Sequence, residues 1–125
     1  MRTAEPVTSR ARVLIVDESA ECREVLRTLL ERRGVSTCEA SEARQGLTLM
    51  REQCPDVVVL DMDSRSADDD VVRREYDRHS RDQHTALVYL GVARRRPDES
   101  PPGCAISKPY HYAPLIRTIE QLLSR

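Results

Sequence analysis

Residues 57–70 read VVVLDMDSRSADDD, four apolar residues running straight into five aspartates within ten positions. An unbroken β-branched and aliphatic run of this kind marks a strand covered on both faces, as in a parallel sheet. A covered strand that ends on a carboxylate poses a chemical question, because a buried charge is costly unless it is paired or used. Which of the acids does chemistry depends on what the rest of the chain brings beside Asp61.

Working outward, Val13-Leu14-Ile15-Val16 is a second run of the same type and Ala86 to Leu90 a third. Ser19 is placed to cap a helix carrying Val25, Leu26, Leu29 and Leu30 and stopping at Gly34. Val35 to Glu39 reads as a short strand. A helix from Ser41 follows, with Ala43, Leu47 and Met50 at helical spacing, ending before Pro55. A third helix is predicted from about Asp68, with Val71, Val72, Tyr76 and His79. Cys104 to Ile106 reads as a fifth strand and Tyr112 to Leu123 as the last helix, with Pro114 in its first turn and Leu115, Ile116, Ile119, Leu122 and Leu123 as its apolar stripe. Strand–helix alternation with all-apolar strands implies a parallel sheet between layers of helices. Residues 1–11 read as a loose tail and 12–125 as one domain.

Composition narrows the function. The chain has 125 residues, 20 basic against 21 acidic, and a net charge of −1. Such a balance creates no field toward nucleic acid or membrane, so neither is expected as a partner. No apolar run reaches the roughly 20 residues that span a bilayer. MRTAEPVTSRAR, at the start, lacks the apolar centre of a signal peptide, and a cytoplasmic location is expected. Cys22, Cys38, Cys54 and Cys104 are scattered and read as reduced, small apolar groups. His79, His84 and His111 are not grouped with them, and Arg94-Arg95-Arg96 reads as a solvated loop. Tyr89 reads as core, Tyr110 as packed and Tyr112 as an exposed contact. Of the twenty basic residues nineteen are arginine; the one lysine is Lys108.

In sheets of this kind reactive groups gather at the carboxyl ends of the strands. Those ends carry Asp17-Glu18, Asp61, Gly91 and Ser107-Lys108. Asp17, Glu18 and Asp61 brought together would repel one another and call for a cation. Mg²⁺ suits them, since it takes oxygen ligands and keeps several waters. Carboxylates, a hard cation and an ammonium are the parts that phosphoryl transfer to an aspartate requires. A lone lysine in a chain otherwise built on arginine points to a demand for a compact ammonium there.

VLIVDES (13–19), PDVVVLD (55–61) and ISKPY (106–110) followed by Leu115 resemble, in that order, the receiver domain of bacterial two-component response regulators, over residues 12–123. The resemblance implies a flavodoxin-like (βα)5 three-layer sandwich with strand order 2-1-3-4-5. It also implies Asp61 as phospho-acceptor and Lys108 as the phosphoryl-contacting residue. Mg²⁺ would be held by Asp17 through water, by Glu18 and Asp61 directly, and by the backbone carbonyl of Asp63. The Lys108–Pro109 peptide would be cis. Glu18 stands where the family most often has Asp. The implied partner is a histidine kinase or phosphotransfer protein.

Four departures accompany the match. Gly91 replaces the hydroxyl residue at the end of strand four, and Ala105 replaces the switch aromatic. SRSADDD stands in place of a Met-Pro-Gly-like turn. Residues 92–103 hold three prolines, so the fourth helix is expected to be missing or much shortened. The groups that would hold a phosphate are kept, whereas those that would relay its presence are not. Two other readings stay open. One is a pseudo-receiver that binds its partner without phosphorylation. The other is a haloacid-dehalogenase-like phosphatase, in which Asp61 and Asp63 would form a DxD pair; it is disfavoured because two βα units precede the motif and no acidic motif follows Lys108.

Overall fold

Val13–Val16 forms β1 and Ala20–Glu31 α1, followed by β2 (Thr37–Ala40), α2 (Ala43–Gln53) and β3 (Val57–Asp61). Then come α3 (Asp70–Gln83), β4 (Ala86–Leu90), β5 (Gly103–Ile106) and α4 (Tyr112–Leu123). This computed structural model describes residues 11–62, 70–91, 103–106 and 110–124. Asp63, Asp68, Asp69, Lys108, Pro109, residues 1–10 and residues 92–102, where the fourth helix is expected to be missing or much shortened, lie outside the described residues.

The strands make one parallel sheet in the order β2-β1-β3-β4-β5, as expected. All of β1 and β3 is buried, in keeping with their apolar runs. Side chains of alternate parity divide the core into two halves. Leu14, Val16, Val58, Leu60, Leu87 and Tyr89 pack with Leu47 and Met50 of α2 and Val72 and Tyr76 of α3. Val13, Ile15, Val57, Val59, Val88 and Leu90 pack with Leu26 and Leu30 of α1 and Leu115, Ile116 and Ile119 of α4. Each fully buried aliphatic side chain contributes roughly 1.5–3 kcal/mol relative to exposure. Two helices therefore cover each face, giving three layers.

Helix ends follow local chemistry. Ser19 caps α1 as predicted, its Oγ accepting from the N–H of Cys22 at 3.2 Å. Gly34 ends the helix in the left-handed region at φ +79°, and the Val35 N–H returns to the Leu30 carbonyl. That bond ties Val35 to the helix exit, so β2 begins at Thr37 rather than Val35. The predicted start of α2 at Ser41 is also corrected. Glu42 holds the cap position in extended geometry and Ala43 opens the helix. Val25 and Val71, expected on the apolar stripes, are exposed by 38% and 62%. Their helices bury narrower faces, Leu26 with Leu30 and Val72 with Tyr76.

Candidate functional site

Strand register brings the central acids side by side. Val16 pairs with Leu60 across β1 and β3, whose backbones run roughly 4.8 Å apart, so Asp17 and Asp61 stand level at adjacent strand ends. Asp61 continues the parity of Val57 and Val59, and Asp17 that of Val13 and Ile15, so both sit on the face covered by α1 and α4. They are only 4% (Asp17) and 6% (Asp61) exposed. The neighbouring order 2-1-3 reverses between these two strands, and such a reversal opens a crevice at the carboxyl ends. Glu18, next in sequence, is exposed.

The turn after β1 is held at several points. The Asp17 N–H donates to the Ala40 carbonyl at 3.1 Å. The Ser19 N–H donates to Asp17 Oδ1 at 2.8 Å, closing a tight turn. Arg23 of α1 donates from Nη1 to the Asp17 carbonyl at 2.5 Å and from Nε to Glu39 Oε1 at 3.1 Å. Arg27 donates to the other Glu39 oxygen at 2.9 Å. Arg23 is a site residue that sequence reasoning misses. One arginine among nineteen carries no local signal, and only the pairing of Ile15 with Glu39 brings its acid into reach.

Two tyrosines border the acids. Tyr110 and Tyr112 meet edge to face, ring centres 5.7 Å apart, and both pack on the α1/α4 half of the core. Burial pushes the Tyr110 phenol up, and the charges of Cys22, Tyr112, Asp17 and Asp61 add to it. Burial also raises Tyr112, helped by its hydrogen bond to Cys22 and by Asp17. Tyr112 is therefore partly buried rather than the exposed contact expected of it.

On the β4 side, the chain leaves the strand at Gly91 with φ +106°. Its N–H donates to the Ile106 carbonyl at 2.9 Å.

Residues 13–69 match the family model described as the response regulator receiver domain. Over 55 residues the chain is 40% identical to the DNA-binding response regulator MtrA of Mycobacterium bovis, a match that takes in 44% of this chain and 24% of that protein. The probable transcriptional regulator ycf27 of Guillardia theta is 39% identical over 54 residues, 43% of this chain and 21% of that protein. The chain thus spans about a quarter of the length of the curated relatives it matches. A two-component response regulator from Clostridium difficile superposes with TM-score 0.74 at 17% identity, covering 93% of this chain and 98% of that one. A CheY-like receiver domain protein from Methanospirillum hungatei JF-1 gives 0.71 at 24%, covering 90% and 97%.

Residues 13–69 thus resemble a response regulator receiver domain, and the whole chain shares the fold of solved receivers. The structure brings together Asp17 and Asp61 and leaves Glu18 at the rim. Gly91 lies at the end of β4, in line with its expected place, and Ala105 lies on β5 opposite Tyr89. Among the described residues no group of three or more His, Cys, Asp or Glu side chains is gathered to hold a metal. Two buried carboxylates at one strand boundary do suit Mg²⁺, which needs only one or two carboxylates beside waters and carbonyl oxygens. Among the described residues no helix is long and apolar enough to cross a membrane.

Proposed function

We propose that this chain is a receiver that accepts a phosphoryl group on Asp61 and signals through protein contacts. The observation that carries the reading is the buried pair Asp17 and Asp61, level at the ends of β1 and β3 where the strand order reverses. Burying two carboxylates side by side is costly, which makes sense where a cation and a phosphoryl group are handled. Asp17, Glu18, Asp61 and the Asp63 carbonyl would hold Mg²⁺, which when bound offsets the negative charge of the transferring phosphoryl group.

Asp61 is fixed by β3, and one of its carboxylate oxygens attacks phosphorus in line. A new O–P bond forms as the bond to the donor's leaving group breaks, and the electron pair departs with that group. The donor is a phosphohistidine on a histidine kinase or phosphotransfer protein. Lys108 would neutralise phosphoryl oxygens. Transfer to and loss from its own aspartate make this a signalling module rather than a turnover enzyme.

A second reading is favoured by one observation. Gly91 presents no side chain where receivers place a hydroxyl, so the relay that reports the phosphoryl group is altered or absent. A phosphorylation-independent binding module would share every other feature. Incubation with acetyl phosphate and Mg²⁺ separates the two. The phospho-accepting reading expects a phosphoryl adduct by intact-mass spectrometry that Asp61→Asn abolishes, and a change of partner affinity on phosphorylation. No adduct, or one that survives Asp61→Asn, overturns it.

A further inference from the structure

We infer that Arg23 is a positioning residue for the acid site, acting through the backbone of Asp17. The inference rests on the phosphoryl-transfer reading above and names a part of the same site. β1 pairs with β2 only as far as Val16 opposite Ala40. The carbonyl of Asp17 falls just past that ladder, and a backbone acceptor near the core needs a partner. Arg23 Nη1 supplies a donor at 2.5 Å.

Its position is fixed from the other side. Glu39 lies on β2 opposite Ile15, on the face under α1. Its two oxygens take Arg23 Nε at 3.1 Å and Arg27 Nη1 at 2.9 Å. Arg23 and Glu39 side chains are only 17% and 24% exposed, so the pair is less screened than a surface ion pair. One planar guanidinium thus joins a carboxylate on β2 to a carbonyl at the end of β1. A lysine, with a point charge and no fork, does not satisfy both acceptors in a fixed geometry.

What the clamp holds is the turn that carries two of the three acids. Asp17 is pinned through its N–H to Ala40, through its carbonyl to Arg23, and through its carboxylate from the Ser19 N–H. Releasing the middle point lets the peptide after Asp17 rotate, and Asp17 and Glu18 turn with it relative to Asp61. Groups that orient metal ligands without touching the metal commonly matter by about 10- to 100-fold in affinity.

Charge and position act in opposite directions here, which makes the role testable. Arg23's positive charge beside the acids works against cation binding, so a charge effect alone predicts tighter Mg²⁺ binding in Arg23→Gln and no change in Arg23→Lys. Positioning predicts weaker binding in both. Glu39→Gln, which loosens the anchor and also removes a negative charge, weakens binding on either account, so Arg23→Lys is the deciding variant. The experiment is calorimetric titration of the full chain with Mg²⁺, with thermal unfolding recorded in the absence of metal. The expected result is a dissociation constant raised by about tenfold or more in Arg23→Lys and by less in Glu39→Gln, in proteins that still unfold cooperatively. Unchanged Mg²⁺ affinity in Arg23→Lys, whatever its melting temperature, overturns the positioning role and leaves the parent reading standing. Tighter binding in Arg23→Gln with none of the loss in Arg23→Lys overturns it as well. A wild-type chain that binds no Mg²⁺ overturns both.

Discussion

Gly91 donates its N–H to the carbonyl of Ile106 at 2.9 Å while its own backbone sits at φ +106°. The bond belongs to the junction of β4 and β5, and it holds the glycine in a conformation that side-chain-bearing residues rarely adopt. The residue that lacks the family's hydroxyl is therefore also one whose backbone disfavours acquiring it.

Restoring that hydroxyl by Gly91→Thr is expected to fail as a repair. A β-branched residue at this φ costs roughly 1–3 kcal/mol. Urea denaturation should show a lower midpoint with little change in slope, and phosphorylation-dependent partner affinity should not appear. A stable Gly91→Thr protein with a restored response would refute this.

Mg²⁺ is expected to stabilise the wild-type chain and not Asp61→Asn. At a hundred times its dissociation constant a ligand that binds only the folded state adds about 2.7 kcal/mol. In EDTA the order reverses. Asp61→Asn should unfold at a higher temperature than wild type, because a neutral amide beside Asp17 relieves repulsion between two buried carboxylates. Differential scanning calorimetry with and without the metal reads both, and an equal Mg²⁺ shift in the two proteins contradicts the site.

Long apolar runs make most of the fold legible in the sequence. β1, β4 and α4 begin and end at the predicted residues because each is a closed run between breakers or caps. β3 extends one residue further, to Asp61 itself. β2 starts later than its apolar pattern suggests, because Val35 has strand character yet spends its N–H on the α1 exit. Ser41 has the residue type of a cap, but its N–H meets the Gln45 side chain while Glu42 takes the cap position without a capping bond. In the site, Asp17 and Asp61 are readable from their place after buried strands. Arg23 is not, since its two acceptors come from β1 and β2 and become neighbours only through sheet register. The charge of both acids on Tyr110 is equally hidden, although its packing is foreseeable.

Gly46 is expected to reject even alanine. It lies on the buried side of α2, where a Cβ would come within 2.7 Å of Val16 Cγ2 and closer still to the Tyr76 hydroxyl. That hydroxyl is held in place by its bond to the Ala43 carbonyl at 2.6 Å, so it is not free to swing aside. The gain of about 1 kcal/mol in helix propensity is outweighed by overpacking of roughly 1–3 kcal/mol. Gly46→Ala should be net destabilised, and combining it with Tyr76→Phe should recover part of the loss, since the closest clash is with the oxygen. Chemical denaturation of the four proteins of this cycle measures the coupling; simple additivity would contradict the packing.

Cys38 is expected to be the slow thiol. Burial against the α2/α3 half of the core, with Glu39 adjacent, raises its pKa from 9.0 to about 11. The fold thus favours the protonated thiol. Its contribution to stability is fully present below about pH 9 and is lost as pH rises through about 11. A thiol that ionises near 11 instead of 9.0 has a thiolate fraction at pH 8 lower by about a hundredfold, and the thiolate is the reactive form. Iodoacetamide at about pH 8, followed by peptide mass spectrometry, should label exposed Cys54 well before Cys38, and denaturant should abolish the difference. Equal labelling rates in the folded chain would show that Cys38 is not held as a protonated, buried group.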